Sequence, residues 1–165
     1  MPSRISEEKG ITQLISLLSQ ETFSDITFKT KFVFSFCSSK EKIAKDLYIS
    51  TKNIEVNYLG WLSQEDLLNE FQKHDVALIP SLYESFSVAA FQSLLMNCSL
   101  LITSNSLWRE IEKKNLGLPI KTCPPLLEKI NLEELLLYIY NLYQCKTQTP
   151  YLTKLKKIIL EEAKN

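Results

Sequence analysis

The chain has no excess charge of either sign: nineteen lysines and arginines balance nineteen aspartates and glutamates. No global field therefore draws it to nucleic acid or to an anionic membrane, and any anionic ligand must be held by local groups. Clustered cysteines are lacking too. Cys37, Cys98, Cys123 and Cys145 are 61, 25 and 22 positions apart. That spacing fits neither a C-x-x-C metal clip nor a compact disulfide framework, so reduced and mostly buried thiols are expected. The opening Met1-Pro2-Ser3-Arg4 lacks the apolar core of a signal peptide, and the longest apolar run, Leu135 to Tyr140, is far shorter than the ~20 residues that span a bilayer. A cytoplasmic location is the expectation. His74 is the single histidine and has no ligand-spaced partner. Next to Asp75 at a helix end, it reads as structural.

What is present is the composition of a soluble globular domain, about 45% apolar over 165 residues. Residues 1–165 are expected to form a single domain, because no repeat, low-complexity tract or long linker divides them. Helical spacing at Ile11, Leu14, Ile15 and Leu18 precedes the aromatic and β-branched stretch Lys31 to Phe36, and helical spacing returns from Lys42 to Tyr48. Asn53 to Leu59 reads as a strand closed by Gly60. Ser63 with Asp66 three residues on has the form of a capping box opening a helix to about His74. Val76 to Ile79 and Leu100 to Thr103 are apolar on both faces, as parallel strands tend to be, and flank a helix expected from about Phe86 to Asn97.

Further helices are expected over Trp108 to Asn115, from an Asn131 cap through Tyr143, and over 151–163, where Leu152, Leu155, Ile158 and Ile159 share a face suited to packing on the domain or a partner. Gly117 to Ile120 reads as a short strand, and Lys121 to Lys129 as a surface loop. Strands alternating with helices imply βαβ units. The expected fold class is α/β, a doubly wound Rossmann-like parallel sheet flanked by helices.

In such a sheet, ligands bind beyond the carboxyl ends of the strands, and the loop after Ile79, "PSLYES", lies at such an end. A helix starting near Ser85 presents the N–H groups of Ser85, Phe86 and Ser87 and a positive dipole end, which suit a phosphate; Glu84 beside them suits sugar hydroxyls. The bottom-up expectation is a phosphate-bearing ligand held next to a carboxylate. The plain alternative for Glu84 is a helix N-terminal carboxylate favoured by the dipole.

The stretch "DVALIPSLYESFSVAAFQSLL" resembles the donor-binding motif of family-four glycosyltransferases of the GT-B fold, in which Pro-Ser, two residues and Glu-x-Phe-Gly lead to a second Glu separated from the first by seven residues. "SRISEEKG" resembles the family's Gly-Arg loop with its Lys five positions on, and "VNYLGWLSQEDLLNEFQKHDV" resembles the strand, Gly and helix before the donor site. The match covers about residues 3–115, nearly all of a family C-terminal domain. It implies a retaining glycosyltransferase half that binds a nucleotide diphosphate sugar. Arg4 and Lys9 would neutralise the diphosphate, Glu84 would be the catalytic carboxylate on the sugar, and Gln92 would stand for the Glu that grips the ribose. No metal or other cofactor is implied where those two cations suffice.

The chain also departs from the pattern. Gln92 offers a neutral hydrogen bond in place of a charge-assisted one, a loss of roughly tenfold in donor affinity. Ser87 and Asn97 stand where the family has Gly, and Cys37-Ser38-Ser39 replaces a glycine-rich turn. Trp61 follows Gly60 in a loop near the nucleotide base in the family, although packing on the next helix is the expectation for it. The family's first strand, and the acceptor-binding N-terminal half, are expected to be absent. Either the chain is a fragment whose N-terminal domain completes the enzyme, or a partner chain does, as in two-subunit GT-B enzymes where a membrane-bound chain holds the acceptor, and any membrane contact would be through that partner. The alternative is a degenerate, non-catalytic domain kept as an interaction module or a truncated remnant.

Overall fold

The computed structural model of the chain describes residues 9–18, 31–37, 54–83, 86–103, 106–114, 118–123 and 130–145. The helices expected over 42–48 and 151–163 lie outside them. The described elements alternate as the sequence suggests: α1 (Ile11–Leu18), β1 (Phe32–Cys37), β2 (Ile54–Gly60), α2 (Gln64–Gln72), β3 (Val76–Ile79), α3 (Val88–Leu95), β4 (Ser99–Thr103), α4 (Ser106–Lys113), β5 (Ile120–Cys123) and α5 (Leu132–Gln144).

Helix starts follow the caps read in the sequence. Asp66 N–H donates to Ser63 Oγ at 3.1 Å at the head of α2, and Glu134 N–H donates to Asn131 Oδ1 at 2.9 Å at the head of α5. Each satisfies a backbone donor that the first helical turn leaves without a partner. Several boundaries differ from the expectation, α4 among them, which runs Ser106–Lys113 rather than Trp108 to Asn115. The last strand runs Ile120–Cys123 rather than ending at Ile120; Pro119 has no N–H to give a ladder and contributes only its carbonyl, which accepts Leu100 N–H at 2.9 Å. Lys121 to Cys123 are therefore strand, not loop. Helix α3 begins at Val88, later than the spacing suggests.

Every pair among the described strands is parallel. β1 pairs with β2, and β4 lies between β3 and β5. Side chains alternate across the strands, so Leu78, Leu101 and Cys123 point to one face and Ala77, Ile79, Leu100, Ile102 and Ile120 to the other. The first face joins Phe32, Phe36, Ile54 and Val56 from β1 and β2 beneath α1 and α5; the second is covered by Phe71 of α2, Ala90 and Leu94 of α3, and Trp108 of α4. Helices on both faces of parallel strands make this an α/β, Rossmann-like arrangement, and the apolar run of each central strand is explained by burial on both sides.

The four cysteines are free thiols, three of them buried. Burial pushes the Cys123 thiol up to about 12 and raises that of Cys37, so neither is a nucleophile at neutral pH. His74 accepts the structural reading: its Nε2 lies 3.1 Å from Glu70 Oε1, one helical turn away. Glu70 also receives Lys73 Nζ at 2.7 Å, and these contacts, led by the Lys73 hydrogen bond, hold its carboxyl below the usual range. Among the described residues no helix is long and apolar enough to cross a membrane.

Glu112 ties α4 to β5. Its carboxylate accepts Thr122 N–H at 3.0 Å, the Thr122 hydroxyl and Lys121 Nζ at 3.1 Å. Burial pushes the Glu112 carboxyl up, but these donors outweigh it and leave the group below its ordinary range. The contribution is thus complete above the unfolded-state carboxylate range and is lost as pH falls through the lower folded value. Glu112→Gln is expected to cost about 1 kcal/mol at neutral pH, the difference between charge-assisted and neutral hydrogen bonds, and to flatten the acid limb of the stability profile. Urea unfolding of both proteins between pH 7 and pH 3 measures it; parallel profiles would show that Glu112 carries no such coupling.

Candidate functional site

The carboxyl ends of the paired parallel strands β3 and β4 and the N-terminus of α3 form one edge. After β3 ends at Ile79, Pro80 and Ser81 remain buried. The Thr103 hydroxyl at the end of β4 donates to the Ser81 carbonyl, tying the two strand ends together. Farther along the loop, Trp108 Nε1 donates to the Phe86 carbonyl at 2.8 Å, and the Trp108 ring stacks on the Phe86 ring at a centroid distance of 6.2 Å. Phe86 also meets Phe91 at 5.9 Å. The loop is thus held at its start by a strand hydroxyl and at its end by an indole.

The turn before α1 reaches the same edge. Gly10 has φ of 64°, and a methyl group added to it would lie 2.0 Å from the Pro80 carbonyl oxygen. Only glycine allows both that backbone angle and that approach. Lys9, the neighbour of Gly10, therefore sits at the mouth of β3.

Ser87 is the residue on which α3 starts, with φ of 56° and ψ of 89°, in the left-handed region. Its hydroxyl accepts Ala90 N–H at 3.3 Å. Asn97 ends the same helix at φ of 67°. Asn97 N–H donates to Leu94 C=O at 3.1 Å and Cys98 N–H to Ser93 C=O at 2.9 Å, the two bonds of a Schellman cap. Ser87 and Asn97, which each stand where the sequence pattern has a glycine, are both left-handed. Ser87 compensates by capping, and Asn is the side chain that best tolerates this region.

Ser87→Gly is expected to leave stability unchanged or raise it by up to about 1 kcal/mol, since relief of the left-handed strain offsets the lost cap and the added chain entropy. Ser87→Ala keeps the strain and loses the cap, at a cost of about 1 kcal/mol. Asn97→Gly and Asn97→Ala should divide in the same directions. Urea midpoints of the four variants test this, and equal effects of Gly and Ala at either position would contradict it.

Of the residues expected to form a site, Lys9, Phe86 and Ser87 stand on this edge. Gln92 is half-buried on α3, one turn after exposed Val88 and turned away from the helix face that buries Ala90, Ser93 and Leu94. Arg4, Glu84 and Ser85 lie outside the described residues. Trp61 differs from its expected packing on the next helix: it is 71% exposed, following Gly60 at φ of 72° beyond β2. Ser81, Thr103 and Trp108 were not singled out in the sequence. The only signal for Trp108 is a large apolar residue on a strongly amphipathic helix, which does not reveal its carbonyl partner.

The model of the family described as glycosyl transferases, group 1, matches residues 1–131. No match to a curated protein was found. The matched span contains all five described strands, the loop after β3 and the Lys9–Gly10 turn, so the family pattern and the built edge coincide on the same residues. The chain belongs to the group 1 glycosyltransferases, the family of the C-terminal domain of GT-B enzymes, and its function lies in glycosyl transfer.

Proposed function

We propose that this edge binds a nucleotide diphosphate sugar and that the chain is the donor-binding half of a retaining glycosyltransferase. The observation that carries the reading is the approach of the Lys9–Gly10 turn to Pro80, which brings a cation to the mouth of β3 beside the start of α3. A diphosphate there meets positive charge from Lys9 and Arg4 and from the dipole of α3, and the same groups stabilise it as it departs. Glu84 holds the sugar hydroxyls, Gln92 accepts from a ribose hydroxyl, and exposed Trp61 offers a stacking surface for the base. Lys and Arg divide the work: the guanidinium fork fits phosphate oxygens in pairs and the ammonium acts as a compact charge. No metal is required in this reading. The acceptor is held by a partner chain or an N-terminal domain, and the donor half alone transfers nothing.

Calorimetric titration with UDP-, GDP- and ADP-sugars tests the assignment. One nucleotide sugar is expected to bind, Arg4→Ala and Glu84→Ala each to weaken it at least tenfold, and Gln92→Glu to strengthen it about tenfold by restoring a charge-assisted bond. Unchanged affinity in both alanine variants would overturn the reading.

A further inference from the structure

Among the described strands, β5 is paired on one side only, with β4. Its register and one ladder bond fix which of its main-chain groups face outward. Leu100 lies opposite Ile120, and Leu100 N–H donates to the Pro119 carbonyl at 2.9 Å. In a parallel ladder a residue bonds the two residues flanking its opposite number, so Pro119 and Lys121 turn their main-chain groups toward β4. Alternation then turns those of Ile120 and Thr122 outward, where a further strand would pair with them. Both outward N–H groups are already engaged. Ile120 N–H donates to the Leu118 carbonyl, two residues back, at 2.9 Å, and Thr122 N–H donates to Glu112 Oε2 at 3.0 Å. Glu112 also accepts the Thr122 hydroxyl and, on its other oxygen, Lys121 Nζ at 3.1 Å. Thr122 and Lys121 are consecutive strand residues with side chains on opposite faces, and Lys121 Nζ lies over the Tyr138 ring of α5, 5.8 Å from its centroid. One carboxylate from α4 thus clasps the strand edge from both sides.

We propose that Glu112 locks the outer edge of the sheet: by occupying the Thr122 N–H it keeps β5 from adding a strand, and its removal opens that edge to a second copy of this chain. With both outward donors engaged, the four-residue strand offers a newcomer carbonyls alone, and a ladder needs donors and acceptors in alternation. Of the two bonds, only the one to Glu112 comes from a distant part of the chain, and a side chain can leave without moving the strand. An arriving strand must therefore break a charge-assisted bond and leave the carboxylate facing its own carbonyls, which is costly. A second copy is the partner that the opened edge fits, because two β5 edges related by a twofold axis run antiparallel and each supplies the donor that the other lacks. This inference is independent of the donor site: it concerns the side of the sheet, not the strand ends.

Sedimentation equilibrium of the full chain tests the lock in four proteins: wild type, Glu112→Ala, Glu112→Gln, and Glu112→Ala combined with Thr122→Pro. Glu112→Ala is expected to self-associate at least tenfold more tightly than wild type. Glu112→Gln changes the charge equally but keeps an oxygen for the Thr122 N–H, and should stay close to wild type. Proline at 122 removes the outward N–H and no bond to β4, so it should return the alanine variant to the wild-type level. Hydrogen exchange in the wild-type protein gives a reading that needs no variant to fold. The Thr122 amide faces away from the sheet, yet it should exchange at least tenfold more slowly than in an unstructured peptide of the same sequence. Exchange at the peptide rate would overturn the proposal. So would an alanine variant that associates no more than wild type, a glutamine variant that matches alanine, or association that survives the proline.

Discussion

Gly10→Ala is expected to lower stability by about 3 kcal/mol, a shift of roughly 6–12 °C in melting temperature for a domain of this size. Two causes add. The left-handed backbone at φ of 64° costs a residue with a β-carbon about 1–2 kcal/mol. The new methyl group would also stand 2.0 Å from the Pro80 oxygen and 3.0 Å from its carbonyl carbon, where the obstacle is backbone rather than a side chain that can swing aside. Overpacking of that kind costs about 1–3 kcal/mol. Relief of the clash requires the turn to lift off β3, which moves Lys9 from the strand end. Donor affinity should therefore fall further than the stability loss alone explains. Differential scanning calorimetry with and without nucleotide separates the two effects, and wild-type stability in this variant would show that the turn does not rest on Pro80.

Trp108→Ala should be the more damaging substitution, at about 3–5 kcal/mol, the usual loss for a large aromatic side chain in a core. Trp108 is 2% exposed in the cluster formed with α3, β4 and β5. Its removal also releases the Phe86 carbonyl and the ring stacked on it, so the loop leading into α3 loses its anchor. Trp108→Phe isolates the second effect. It keeps most of the apolar volume but deletes the indole N–H, and about 1 kcal/mol of its cost belongs to the hydrogen bond. Urea denaturation gives both values, and fluorescence checks them: with Trp108 buried and Trp61 exposed, an aqueous quencher should affect emission strongly in Trp108→Phe and weakly in Trp61→Phe.

Much of the fold is legible along the chain because local signals and burial agree. Ser63 with Asp66 and Asn131 with Glu134 announce α2 and α5 through caps that the structure contains. Val76 to Ile79 and Leu100 to Thr103 read as parallel strands because both of their faces are covered. The last strand was harder: Gly117 and Pro119 mark a break, but whether a strand lies before or after a proline depends on its neighbour, here β4, with Leu100 opposite Ile120. The ties within the site were not legible. A threonine at a strand end and a tryptophan on an amphipathic helix are ordinary core residues until the chain brings their donors to Ser81 and Phe86. Ser87 and Asn97 show the reverse case. The sequence pattern identifies them as replacements for glycine, and only their left-handed backbone shows why glycine belongs there.

Thermal unfolding of the chain with UDP, GDP and ADP and their sugar conjugates tests the proposal that the edge around Lys9, Ser81 and Ser87 is a nucleotide-sugar site. A ligand at 100 times its dissociation constant stabilises by about 2.7 kcal/mol, or several degrees here. Such a shift is expected with one nucleotide and its sugars, reduced in Lys9→Ala and Arg4→Ala. A cooperative transition that no nucleotide moves would contradict it.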